Sequence, residues 1–297
     1  MKLRLGTVQF GMDYGVIGQK KPSLDYCVDC LDYATQNGIA AIDTAEAYGT
    51  AQEGVGAFLQ KKTIPRESLN ISTKFKPNVL DDFQPGEYKK VIVERLKATL
   101  RTLHTDYVDA YLFHSARYVF NQEMLEALNA VVDMGLARNV GVSVYEPDEA
   151  LECIRNPLIK STQFPYSLFD HRMKDAGVFE AAVNSNCNIE VRSAFIQGLI
   201  LLDEEEIPKF LAEARPIIKK LKKIAEDTGI SRVALAMAYI KREQIVSHLV
   251  FGVDSIEQLK EDIELFNQDI PKDVLSVMDK EFAGIKAEVV MPSLWKR

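Results

Sequence analysis

IAAIDTAEAY (Ile39–Tyr48) is the stretch on which the fold turns. A short aliphatic run closes on an acid, Asp43, and a loop of small residues then presents Tyr48. The same grammar returns on reading outward. LNISTK (69–74) closes on Lys74, and VDAYLFH (108–114) closes on His114. Packing alone would put Val, Ile or Leu at these strand ends. An acid, a phenol, a base and an imidazole delivered by three consecutive strands suit a (β/α)₈ barrel, where the C-terminal ends of the strands carry the chemistry.

The rest of the chain keeps the alternation. Apolar runs LRLGTVQF (3–10), NVGVSV (139–144), STQFP (161–165), NIEVRSA (188–194) and HLVFG (248–252) bring the candidate strands to eight. Helical periodicity fills the intervals, near 24–37, 50–61, 87–102, 122–134, 147–154, 177–185, 208–228 and 256–265. Two further helices, SRVALAMAYIKRE (231–243) and one near 271–282, exceed a bare barrel. The prediction is an α/β chain, one TIM-barrel domain over residues 1–297 with extra C-terminal helices. The competing doubly wound sheet would want a GxGxxG turn after its first strand, and GTVQFGMDYG does not fit.

With 297 residues, 47% of them hydrophobic, the chain can bury a large core. A net charge of −7 argues against a nucleic-acid partner and against an anionic membrane surface. No apolar run approaches the length of a membrane span, and the N-terminal residues lack a secretory pattern, so the expected location is the cytoplasm. Cys27 and Cys30 fit CxxC, but they fall a turn or more into a helix capped by Ser23 and stopped by Gly38. A redox pair sits at the helix N-terminus itself, so these are expected to be core thiols. His104, His171 and His248 have no comparable partners in the sequence.

A lysine ammonium beside a phenol lowers the phenol's pKa, a carboxylate beside the lysine keeps it charged, and a histidine can hold a carbonyl oxygen near the phenol. That is a proton-relay site for carbonyl reduction or alcohol oxidation, with the hydride left to a cofactor. At this point the sequence resembles the aldo-keto reductases, from LGTVQFG through DTAEAYG, STKF and LFHS. The resemblance implies a nicotinamide-dependent oxidoreductase in which Tyr48 is the general acid, Lys74 and Asp43 tune it, and His114 orients the carbonyl.

It also implies cofactor contacts. Ser143 and Gln163 match residues on the nicotinamide carboxamide, although Val144 replaces the family's usual asparagine. Arg192 stands where many members stack a tyrosine on the nicotinamide. SAFIQGL, with Ser193, Gln197, Gly198 and Leu199, resembles the loop beside the pyrophosphate, and Gly252, Asp254, Gln258 and Asp262 resemble the last cofactor motif. Members preferring NADP place Lys or Arg near that motif, whereas Asp254 would repel a 2′-phosphate. NADP(H) is still slightly favoured here, with NAD(H) as the alternative. The β-hairpin plug of many members is expected to be short or absent, because Leu3 already begins strand one, and the tail after Gly284 is short. A small polar aldehyde, ketone or sugar is the expected substrate. Tyr14, Phe10, Phe75, Tyr145 and Trp295 are pocket candidates by loop position, with packing equally expected for each. The alternatives are a nicotinamide-binding regulatory or interaction protein, an NAD-linked sugar or aldose dehydrogenase, and an aldolase forming a Schiff base on Lys74.

Overall fold

Each apolar run forms a strand, and the strands close a parallel barrel in chain order: β1 (Lys2–Gly6), β2 (Ala41–Asp43), β3 (Asn70–Phe75), β4 (Val108–Phe113), β5 (Ala137–Ser143), β6 (Ser161–Pro165), β7 (Asn188–Arg192) and β8 (Val246–Phe251), with β8 paired back onto β1. The computed structural model describes residues 1–296. Parallel neighbours need long crossovers, and amphipathic helices supply them. The helix Leu24–Gln36 begins where Ser23 Oγ accepts from the Tyr26 N–H, and ends ahead of Gly38, whose φ of +86° breaks it. The same cap opens Arg232–Lys241 at Ser231, and Ala234 through Ile240 of that helix are all buried.

Side chains alternate along each strand, so every strand serves two regions. Arg4, Asn70, Glu190, Gln163 and Asp43 hydrogen-bond to one another across the barrel, which places them inside it. Their strand neighbours Leu3, Leu5, Ile42, Ile71, Ile189 and Val191 therefore point outward and are buried under the helices. The apolar core lies in that outer layer, where each aliphatic side chain taken fully from water contributes roughly 1.5–3 kcal/mol. The interior carries this polar network.

Three expectations are revised. Strand one stops at Gly6 rather than Phe10, since the Thr7 N–H makes the last rung to Asp43 O and Val8–Gly11 then coils into a helical turn. The helix expected over 177–185 shrinks to Val178–Ala182, preceded by Arg172–Asp175, because Gly177 lies between them at φ +75°. The segment 208–228 divides into a 3₁₀ stretch, Lys209–Ala214, and an α-helix, Arg215–Thr228, with Pro216 in the first turn of the second, where no N–H is needed. β1 opens at Lys2, so among the described residues no hairpin precedes the barrel.

Candidate active site

Asp43 ends β2, Lys74 is the penultimate residue of β3, and His114 follows β4 directly, so the barrel aims all three at one rim. Tyr48 arrives on the loop after β2, and two devices set that loop. Gly11 and Gly49 bring backbones together: a Cβ on Gly11 would lie 1.7 Å from Tyr48 O, and one on Gly49 would lie 2.2 Å from Gly11 O. Glu46 anchors the other side, accepting from Tyr111 Oη at 2.9 Å and from Arg95 Nε at 2.9 Å. Glu46 lies inside the quoted stretch, yet its role is invisible without its partners on β4 and a distant helix.

Lys74 Nζ sits 2.7 and 2.6 Å from the two Asp43 carboxylate oxygens and 3.4 Å from Tyr48 Oη. His114 meets the Tyr48 ring edge to face at 5.6 Å. Lys74 and Asp43 are buried. Burial lowers the Lys74 pKa below the ordinary lysine value, and Asp43 offsets part of that fall. The phenol corrects an expectation. Burial, and then the Asp43 charge, raise the Tyr48 pKa well above the ordinary tyrosine value instead of lowering it. The physical reason is burial of the phenol first and the nearby Asp43 carboxylate second; the ammonium lies closer to that carboxylate than to the phenol. His114 is pushed down to about 3 by burial and by the Lys74 and Arg192 charges, which makes it a neutral imidazole.

A cavity of about 600 Å³ opens above this group, within the range of small-molecule sites. Tyr48, Asp43, His114 and Gln163 form its floor, and Arg192, Ser193, Gln197, Gly198, Gly252, Asp254 and Gln258 line its walls. Ser143 is buried next to Gln163 in strand register, so it sits beside the cavity floor rather than in the exposed lining. Leu199 and Asp262 lie away from the cavity. Leu199 is in the core, and Asp262 is on the buried face of the helix Ile256–Asn267, where burial raises its pKa to about 7. Of the five aromatic candidates, Tyr14 and Tyr145 line the cavity. Phe10 and Phe75 are core residues, and Trp295 packs near Phe210 and donates to Val289 O. The segment after Gly284 reaches the rim through Pro292 and Ser293.

The loop after β7 is strained: Ser193, Ile196 and Gln197 all have φ between +48° and +65°, a region that L side chains occupy at a cost. Val16 N–H donates to Gln197 O at 2.9 Å, tying the loop after β1 to it over the cavity. Arg192 lays its guanidinium over the Tyr145 ring at 4.4 Å and donates to Val144 O. Gln9, on the short turn after β1, donates to Asp254 Oδ1 at 3.0 Å. Neither Gln9 nor Glu190 stood out in the sequence. The signal for Glu190 was an acid between Ile189 and Val191 in a strand pattern. Cys27 and Cys30 are buried, and burial raises their pKa values to about 11 and about 12.

The model of the Aldo/keto reductase family matches residues 2–281. The chain belongs to the aldo/keto reductase family. It is thereby an NAD(P)-dependent oxidoreductase. Among its relatives, the uncharacterized oxidoreductase YqkF of Bacillus subtilis (strain 168) is 27% identical, over 90% of this chain and 91% of that protein. The L-glyceraldehyde 3-phosphate reductase of Escherichia coli (strain K12) is 25% identical, over 85% and 80%. The NAD/NADP-dependent indole-3-acetaldehyde reductase of Schizosaccharomyces pombe is 31% identical over 52% of this chain and 50% of its own length. The holo form of aldo-keto reductase AKR11C1 from Bacillus halodurans shares the fold, at a TM-score of 0.77, 22% identity, and 99% and 95% coverage. Among the described residues, no helix is long and apolar enough to cross a membrane.

Proposed function

We propose that this aldo-keto reductase reduces a small polar aldehyde, ketone or sugar carbonyl, with Tyr48 as general acid and Asp43, Lys74 and His114 in support. The observation that carries the reading is the chain of contacts from Asp43 through Lys74 Nζ to Tyr48 Oη at 3.4 Å, with His114 against the same phenol. A raised pKa suits the role, because the phenol keeps its proton until a carbonyl oxygen takes it. The tyrosinate left behind has Lys74 as its nearest cation. A neutral His114 can donate an N–H to the carbonyl oxygen and orient it.

When bound, a reduced nicotinamide supplies the hydride. Two buried polar atoms fit its carboxamide: Ser143 Oγ and Gln163 Oε1 have no hydrogen-bond partner. One can donate to an amide oxygen and the other can accept from an amide N–H. Arg192, already flattened on Tyr145, is a stacking partner for the pyridine ring.

NADP(H) is the cofactor we favour. Asp254, engaged by Gln9 on the cavity wall, is the observation on the side of NAD(H) and of an NAD-linked sugar or aldose dehydrogenase, since a carboxylate repels a 2′-phosphate. Titrating the protein with NADPH and NADH, read by energy transfer from protein fluorescence, tests both points. Tighter NADPH binding supports a reductase, and comparable or tighter NADH binding makes Asp254 the ribose partner. Binding of neither cofactor removes the reading altogether.

A further inference from the structure

Gln163 is fully buried on β6, and both its amide hydrogens are claimed from below. Its Nε2 donates to Asp43 Oδ1 at 2.9 Å and to Glu190 Oε2 at 3.3 Å. Ionised carboxylates only accept, so between two of them the amide must turn its nitrogen inward. Glu190 is itself held in place, its other oxygen accepting from Arg4 Nη2 at 2.8 Å. Arg4 is fixed in turn by Ile42 O, Asn70 O and Asn70 Oδ1. His248 Nδ1 stands 3.6 Å from the oxygen that Arg4 uses.

We infer that Glu190 is a positioning residue: by holding Arg4 with one oxygen and Gln163 Nε2 with the other, it leaves Gln163 Oε1 as the amide atom offered to the cavity. The site then reads the NH₂ of a pyridine-3-carboxamide and rejects rings that cannot donate there. Val144 sharpens the dependence, because its side chain carries no amide to share the recognition. The inference rests on the nicotinamide reading above and adds to it the residue that sets amide polarity.

A carboxylate is required because two donors meet it from two directions. In Glu190→Gln the new amide must turn its oxygen to the Arg4 cation, which aims its NH₂ at the Gln163 NH₂. Gln163 then faces a donor on one side and the Asp43 acceptor on the other, and neither orientation satisfies both.

The test uses the 297-residue chain and two probes, oxidised NADP and its 3-acetylpyridine analogue, in which methyl replaces the carboxamide NH₂. Affinities are read by fluorescence. The wild type should prefer the carboxamide by about tenfold, the worth of one hydrogen bond. Glu190→Gln should cut that preference to about twofold, and Gln163→Leu should abolish it. Adding Glu190→Gln to Gln163→Leu should change nothing further, because the effect passes through that amide. If Glu190→Gln does not fold, Glu190→Asp keeps the charge for Arg4 but is one methylene short of serving both donors. Its preference should fall in the same direction. An undiminished carboxamide preference in either folded variant, or equal wild-type affinity for both probes, overturns the inference. A wild type that binds neither NADP nor NAD overturns the nicotinamide reading instead.

Discussion

The two faces of the barrel wall differ in kind. Outside, between strands and helices, Leu5, Ile71, Phe113, Val142, Phe164 and Leu249 are buried among aliphatic and aromatic neighbours. Inside, the barrel wall buries Arg4, Asp43, Lys74, Gln163 and Glu190. Burying charges costs free energy unless each finds a partner, and here every one does. The outer layer carries stability through burial, which is tolerant of detail. The charges of the inner layer are paired only as a connected set, so its geometry is specified closely, and the candidate site stands on top of it. A change outside should therefore cost stability and spare selectivity, whereas a change inside should cost both.

Several substitutions can break or sharpen that contrast. The largest effect is expected at the top of the inner chain. Tyr48→Phe should lower kcat for any carbonyl substrate by about 10²–10⁴-fold while cofactor affinity stays within about twofold, measured by following reduced-cofactor absorbance. Retained turnover would end the case for Tyr48 as the acid. Next comes the ion pair beneath it. Lys74→Met strands the Asp43 carboxylate and should cost about 3–5 kcal/mol in urea unfolding. Pairing it with Asp43→Asn should return most of that stability and none of the activity.

An outer-layer change of similar size marks the other region. Ile71→Ala should cost about 2–5 kcal/mol through lost burial and the cavity left behind, yet leave the carboxamide preference at its wild-type value. A shifted preference would mean that the two layers are coupled. The smallest effect is a pH slope. His114 and His248 each have a folded pKa near 3, against an unfolded 6.5, both held down by burial first. Near His248 the cations of Arg4, Lys2 and the N-terminus act in the same direction, and near His114 those of Lys74 and Arg192 do so against Asp43. Below about 6.5 the unfolded chain takes up these protons first. Each histidine therefore contributes stability that is complete above 6.5 and is lost as pH falls towards 3. The slope is up to about 1.4 kcal/mol per pH unit for each group. His114→Asn should flatten the urea-midpoint slope between pH 6 and 4 by about one proton, and an unchanged slope would place a charged imidazole in the fold.

Reading the chain outward from Ile39–Tyr48 recovered the strands because short apolar runs, set off by stretches of helical periodicity, are local signals. The same holds for the caps at Ser23 and Ser231 and for the stop at Gly38. The four rim residues were legible because each ends a strand or follows one. Where the reading slipped, after Gly6, around Gly177 and before Arg215, local turns interrupted a pattern averaged over many residues. Fold class, family and the identity of the rim residues were thus determined by sequence alone, through signals carried within a few residues of each other. Tertiary structure decided the rest. Gln163 meets Asp43 across 120 positions of chain, and Arg4 meets Glu190 across 186, contacts that exist only because eight strands close into a ring. It also decided that Lys74 gives its charge to Asp43 before Tyr48, since a buried ammonium settles on the nearest anion, and which anion is nearest is a matter of distance rather than of order along the chain.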